Sequence, residues 1–108
     1  RKAPSQKEKM IIQGIRNDEE KHGQILRKIY YDFTKQNISY QTPANYNFQS
    51  SSYRDDLEKA LFSELAAVKK YRKILSVMSG DYYTLLMSIM TDENIHAAKY
   101  NFLLGNQR

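Results

Sequence analysis

The sequence predicts an all-α protein, an antiparallel helical bundle, and three observations predict it. Three long stretches repeat apolar residues at gaps of three and four, the period of a helix with one buried stripe. Helix-starting residues precede these stretches, Ser5, Ser52 and Asp81. The stretches are joined by one long polar segment and one short turn, which sets the direction of each relative to the next. The expected helices span about 5–34, 53–79 and 82–105.

For the first, Ser5 with Glu8 three residues later forms a capping box, and Pro4 suits the mouth of a helix. Its seam runs Ile12, Ile15, Glu19, His22, Leu26, Ile29, Phe33. Glu20 projects about 200° from His22 and reads as a solvent residue. From Thr34 to Ser52 the chain is polar and irregular, with Pro43 inside it. About 15 extended residues reach about 50 Å, enough to return past a whole helix, so the flanking helices are expected to run parallel across a crossover. Tyr40, Tyr46 and Phe48 would pin that loop to the bundle. The second helix starts near Ser52, with Asp55 as capping partner, and its seam reads Leu57, Leu61, Glu64, Val68, Tyr71, Leu75, Met78. Ser79-Gly80-Asp81 makes a stop and restart, Gly80 ending one helix and Asp81 capping the next. The last helix is therefore antiparallel to the one before it, with the seam Tyr82, Leu86, Ile89, Glu93, His96, Tyr100, Leu103.

Each seam carries a glutamate among apolar residues, and a buried ionised carboxylate is costly unless it is paired or binds metal. Two of the three belong to copies of Asp-Glu-x-x-His, Asp18-Glu19-Glu20-Lys21-His22 and Asp92-Glu93-Asn94-Ile95-His96, which contain both histidines of the chain. Positions i and i+3 share a helix face, so Glu19 with His22, and Glu93 with His96, can each grip one ion. The plain alternative is a misjudged register that places surface glutamates on the seam. Three such glutamates, two followed by His at i+3, favour a shared positive charge. That arrangement is the carboxylate–histidine signature of a dinuclear metal site in a four-helix bundle.

Composition narrows the rest. At 108 residues the chain is read as one domain, 1–108. It has no cysteine, so disulfides, thiolate zinc sites and iron–sulfur clusters are excluded from it, and a metal would take oxygen and nitrogen ligands: iron, manganese or zinc. The net charge of +5 is spread among twelve acids, which reads as a solvated surface and not as a nucleic-acid footprint. No apolar run approaches a membrane span and no signal-peptide pattern opens the chain, so the expected location is the cytoplasm.

Sliding the chain by 74 residues aligns Ile15 with Ile89, Asp18 with Asp92, Glu19 with Glu93 and His22 with His96. Two related helix hairpins are implied. Glu64 lies 29 residues before Glu93, and the matching position before Glu19 falls about ten residues upstream of Arg1. The domain is therefore expected to be N-terminally incomplete, lacking a first helix and the ligand on it.

These residues resemble the ferritin-like superfamily, nearest its rubrerythrin-like diiron-carboxylate branch, over nearly the whole chain. The resemblance implies a four-helix bundle with a crossover loop, three of whose helices are present here. It implies two iron ions, with manganese or zinc as substitutes, held by Glu64 as a terminal ligand, Glu19 and Glu93 as bridges, and His22 and His96 as one cap each. Asp92 would orient His22 and Asp18 would orient His96, unless these are plain exposed helical aspartates. Tyr71 and Tyr100 would stand beside the metals, or simply fill the core. Two departures stand out: Ala67 occupies the place of a further rubrerythrin glutamate, and no four-cysteine electron-transfer domain is present. Gly23 and Ala97, after the two histidines, leave room for close helix approach or a small ligand.

The function so implied is oxidation of ferrous iron by dioxygen or hydrogen peroxide, as ferroxidase or as rubrerythrin-like peroxide reductase with an unidentified electron donor. The competing readings are a mini-ferritin that stores iron or protects DNA, which a lysine-rich tail would support and this chain lacks, and a metal-free helical interaction protein. A homodimer or helix-exchanged oligomer is expected to cover the apolar stripes a missing helix would leave bare.

Overall fold

The computed structural model describes residues 5–37 and 52–107, and they form three α-helices: α1 (Gln6–Thr34), α2 (Tyr53–Leu75) and α3 (Gly80–Gly105). Pro4 and the expected loop anchors Tyr40, Tyr46 and Phe48 lie outside the described residues. Among the described residues, no helix is long and apolar enough to cross a membrane.

Local chemistry sets the helix ends. The Ser5 hydroxyl accepts from the Glu8 N–H at 3.1 Å and donates to the Glu8 carboxylate at 2.9 Å. At the other end Lys35 turns into the left-handed region, φ 59°, and its N–H returns to the Tyr31 carbonyl at 2.7 Å. The Ser52 hydroxyl accepts from the Asp55 N–H at 3.1 Å, while Asp55 and Asp56 in the first turn and Arg72 and Lys73 in the last complement the helix dipole of α2.

The turn between α2 and α3 differs from expectation. Helix α2 stops at Leu75 and not near 79, because Ser76 caps it and bonds its own hydroxyl back to the Lys73 carbonyl at 2.6 Å. Helix α3 starts at Gly80 and not at 82. Its N-cap is Ser79, and Asp81 lies in its first turn. Gly80 has φ +64°, so it supplies the left-handed step at the opening of α3 and does not end α2.

Helix directions follow from contacts at the two ends. At one end the Glu8 carboxylate accepts from Gln107 Nε2 at 2.7 Å and from the Tyr53 hydroxyl at 3.5 Å, joining the starts of α1 and α2 to the end of α3. At the other, the Tyr82 hydroxyl donates to Asp32 at 3.0 Å and the Tyr82 ring packs on Phe33 at 5.0 Å. Helix α3 therefore runs antiparallel to both partners, and α1 and α2 run parallel, as a crossover requires. Helix α3 is central and packs along α1 and along α2. No Cα atoms of α1 and α2 come within 8 Å of each other, which leaves a trough between them.

Apart from Ala97 and Glu8, the buried residues fall on the expected seams, the apolar ones in two layers. Ile15, Leu57 and Leu103 fill one end, and Ile29, Leu75, Leu86 and Ile89 the other. Phe33 is the exception: placed on the α1 seam by periodicity, it is 61 % exposed at the helix end. Between the layers, near mid-helix, lies a polar one: His22, Glu64, Glu93 and His96, all buried, with Glu19 at its open edge.

Candidate metal centre

Helix periodicity turns Glu19 and His22 of α1, Glu64 of α2, and Glu93 and His96 of α3 toward one point at mid-bundle. Ligand atoms of Glu19, Glu64, Glu93 and His96 all lie within 4.8 Å of one another. His22 adjoins this group, its Nδ1 3.0 Å from a Glu93 oxygen and 3.6 Å from a Glu19 oxygen. His96 mirrors it: its Nδ1 is 3.0 Å from Glu19 and 3.6 Å from Glu93, and also 2.7 Å from Glu64. The two imidazole rings stack at 5.9 Å between centroids.

The far side of each ring is held by the aspartate of the opposite copy. His22 Nε2 lies 2.8 Å from Asp92 and His96 Nε2 lies 2.8 Å from Asp18. The hydrogen bond to His96 is the main cause that holds the Asp18 carboxyl below its ordinary range, and an ionised carboxylate can only accept, which assigns the hydrogen of this contact to His96 Nε2. A neutral imidazole with hydrogen on Nε2 has its lone pair on Nδ1. In both histidines that atom points inward, toward the glutamates.

Lone pairs therefore face lone pairs. His22 Nδ1, His96 Nδ1, Glu64 Oε2 and Glu93 Oε1 are buried and make no hydrogen bond, although they lie within ion-pair distance of one another's groups. Orphaned buried polar atoms are rare because each one forgoes its solvation. Four at one spot, all able to act as Lewis bases, are the donors that one shared cation would satisfy together. The donors, neutral imidazole and carboxylate, suit iron, manganese or zinc.

The electrostatics agree. Burial pushes the Glu64 and Glu93 carboxyls up, and burial, the Glu93 carboxyl alongside and its charge raise Glu19 to about 7. All three carboxyls are therefore harder to ionise here than in water.

The cluster opens into the trough. A cleft of about 500 Å³ is lined by Glu19, His22, Glu64 and Glu93, with Gly23, Ala67 and Tyr71 on its walls. An adjoining cleft of about 550 Å³ is lined by Glu19, Arg16, Arg27 and Tyr100. Burial first, and then the nearby glutamates, push the Tyr71 and Tyr100 hydroxyls up to about 12, so both phenols are neutral at physiological pH. Glu20 is exposed. Gly23 has room for a Cβ, with only the Arg27 guanidinium at 3.4 Å, so close helix approach does not dictate this glycine.

Outside the sequence-derived set, one residue bears on the site and another on the bundle end. Arg16 lines the cleft beside Tyr100, one turn before Glu19, and the i−3 spacing was the available signal. Glu8, 6 % exposed, ties three helix ends together, whereas its sequence context announces only a local cap.

No curated protein and no solved structure matches the chain. The family model described as the ferritin-like domain matches residues 1–106, the helices and the clustered residues included, and the chain belongs to that family.

Proposed function

We propose that this chain is a dinuclear metal protein, with iron as its working metal, that oxidises ferrous iron with dioxygen or hydrogen peroxide. The observation that carries this reading is the convergence of four buried, unsatisfied Lewis-base atoms from three helices. Glu64 and His96 would hold one ion, His22 the other, and Glu19 and Glu93 both. When bound, the iron pair supplies the electrons for reduction of the oxidant.

The chain's own part is positional and electrostatic. Asp18 and Asp92 hold the Nε2 side of each ring, which aims both Nδ1 atoms at the glutamates. Apolar layers above and below keep bulk water from the carboxylates. Entry is left to the trough, where Glu19 is 46 % exposed while Glu93 is 5 % exposed. Tyr71 and Tyr100 line this entry as neutral phenols able to donate hydrogen bonds. The resemblance of the two Asp-Glu-x-x-His copies to the rubrerythrin-like pattern supports peroxide reduction as one form of this activity, and Ala67 in place of a further glutamate weighs toward the ferroxidase form.

Anaerobic ferrous loading followed by exposure to air and to peroxide tests the proposal. About two irons per chain, a ferric absorption band after oxidation, and loss of both on Glu93→Ala with His96→Ala are expected. The faster oxidant identifies the form of the activity. Failure to retain iron, manganese or zinc would overturn the proposal.

A further inference from the structure

Helix α2 carries four cations in five positions, Lys69, Lys70, Arg72 and Lys73, within a stretch from Leu65 to Gly80 that holds no acid. All four are exposed, and among the described residues their side chains have no hydrogen-bond or ion-pair partner. One face of the helix runs Phe62, Leu65, Lys69, Arg72, each one position past the inward seam of Leu61, Glu64, Val68 and Tyr71. Phe62 is 61 % exposed and Leu65 40 %. The trough is lined instead by Ser63, Ala67 and Lys70, each one position before that seam. The face from Phe62 to Arg72 is therefore on the flank turned away from the trough, whatever occupies the trough. From inside, the same turns reach the candidate metal centre: Tyr71, between Lys70 and Arg72, lines the cleft with Glu19, His22, Glu64 and Glu93. One helix width, about 10 Å, separates the basic face from the cluster.

We propose that this face of α2 docks a carboxylate-rich electron-carrier protein, with Phe62 and Leu65 at the centre of the contact and Lys69, Arg72 and Lys73 pairing with the carrier's acids. This rests on the redox reading above and adds to it the kind of donor and the place where it binds. Reduction of hydrogen peroxide to two waters takes up two electrons and two protons, so two one-electron carriers are oxidised for each peroxide consumed. Opposite charge steers such a carrier to the basic face, and the exposed apolar pair holds it there. An aromatic residue and an arginine side by side suit a protein surface, whereas a nucleic-acid duplex is gripped through its phosphates by cations and would leave Phe62 and Leu65 in water.

Calorimetric titration of the chain with a plant-type two-iron ferredoxin, an acidic one-electron carrier, reads the docking apart from any activity. Saturable binding that weakens as salt is added is expected. Lys69→Glu with Lys73→Glu should weaken it roughly tenfold or more, and Phe62→Ala roughly fivefold with the salt dependence kept. Lys9→Glu, on another helix at the far end of the bundle, should leave it within about twofold. Lys69→Gln with Lys73→Gln serves if the charge reversals reduce the helical circular dichroism. Reduced ferredoxin mixed anaerobically with the ferric-loaded chain should be reoxidised, and about tenfold more slowly by the doubly reversed variant, whose iron content should equal that of wild type. No binding to the ferredoxin or to an acidic flavodoxin, or binding that the α2 variants leave unchanged, would overturn the docking site. Tighter binding to a short DNA duplex, lost in the same variants, would overturn it in favour of nucleic acid, and docking without reoxidation would overturn the donor role. Intact docking by a chain that retains no iron, manganese or zinc would overturn the metal centre and leave the docking site standing.

Discussion

The Asp-Glu-x-x-His segment of α1 and that of α3 make matching contacts in unlike surroundings. Helix α3 is flanked by a helix on each side, and Glu93, His96 and Ala97 are buried. Among the described residues, helix α1 packs against α3 alone. Its Ile15, His22 and Ile29 are buried against α3, but Glu19 faces the trough and is 46 % exposed. The lesson is that sequence symmetry fixes what each side chain can reach, and helix packing decides how far from water it does so. A carboxylate of the same type at the same register is a solvent-gated group in one copy and an interior group in the other.

The comparison is broken most completely at Glu93, the interior glutamate within reach of both histidines. Glu93→Gln should cost both ions, measured as metal per chain after loading and desalting. The metal-free variant should be as stable as wild type or more so, because a buried carboxylate has been neutralised without a change of shape.

Unequal packing should also show in stability. Leu86→Ala, at a position 2 % exposed in central α3, is expected to cost about 3 kcal/mol, whereas Leu26→Ala, half-buried at the trough on α1, should cost about 1 kcal/mol. Chemical denaturation of the metal-free variants measures both. Similar costs would mean that the α1 side is as well covered as the α3 side.

The aspartates sharpen the comparison because they cross between copies. Asp18→Asn should weaken the ion at His96, and Asp92→Asn the ion at His22, each by about 10- to 100-fold. Stepwise metal titration separates the two. If both variants weaken the same step, the pairing of aspartate with ion is wrong.

The smallest effect is the pH dependence. Glu19, Glu64 and Glu93 have folded-state values above their ordinary ones, so between about 4.5 and about 7 the folded protein binds more protons than the unfolded chain. Stability of the metal-free protein should therefore fall as pH rises across that window. Asp18 acts in the opposite sense, being lowered: its contribution is present above its ordinary 3.8 and lost below it, outside the window. A bound cation favours the ionised carboxylates and should remove or reverse the decline. Thermal melts at pH 5 to 8, with chelator and with Mn²⁺, check the sign.

Much of this was legible in the sequence. Periodicity placed the three seams, and Ile15, Leu57, Leu75, Leu86, Ile89 and Leu103 are buried on them. The pairing of Asp18 with His96 and of Asp92 with His22 came from the family resemblance and not from spacing, and the structure holds each pair at 2.8 Å. What the sequence did not contain were features set by the termini and by tertiary contact. Ser76 competes for the α2 backbone and ends the helix before Ser79-Gly80 is reached, a local hydrogen bond that periodicity does not see. Phe33 keeps the seam's spacing but lies beyond the end of the core. The joining of helix ends by Glu8 depends on Tyr53 and Gln107, residues 45 and 99 positions away.

The central claim is that donors from both copies converge on one pair of ions. Electron paramagnetic resonance of the chain saturated with Mn²⁺ tests it most directly. Two ions per chain giving an exchange-coupled spectrum, as for ions about 4 Å apart, is the predicted result. The six-line signal of isolated Mn²⁺ at saturation, or a single ion per chain, would contradict it.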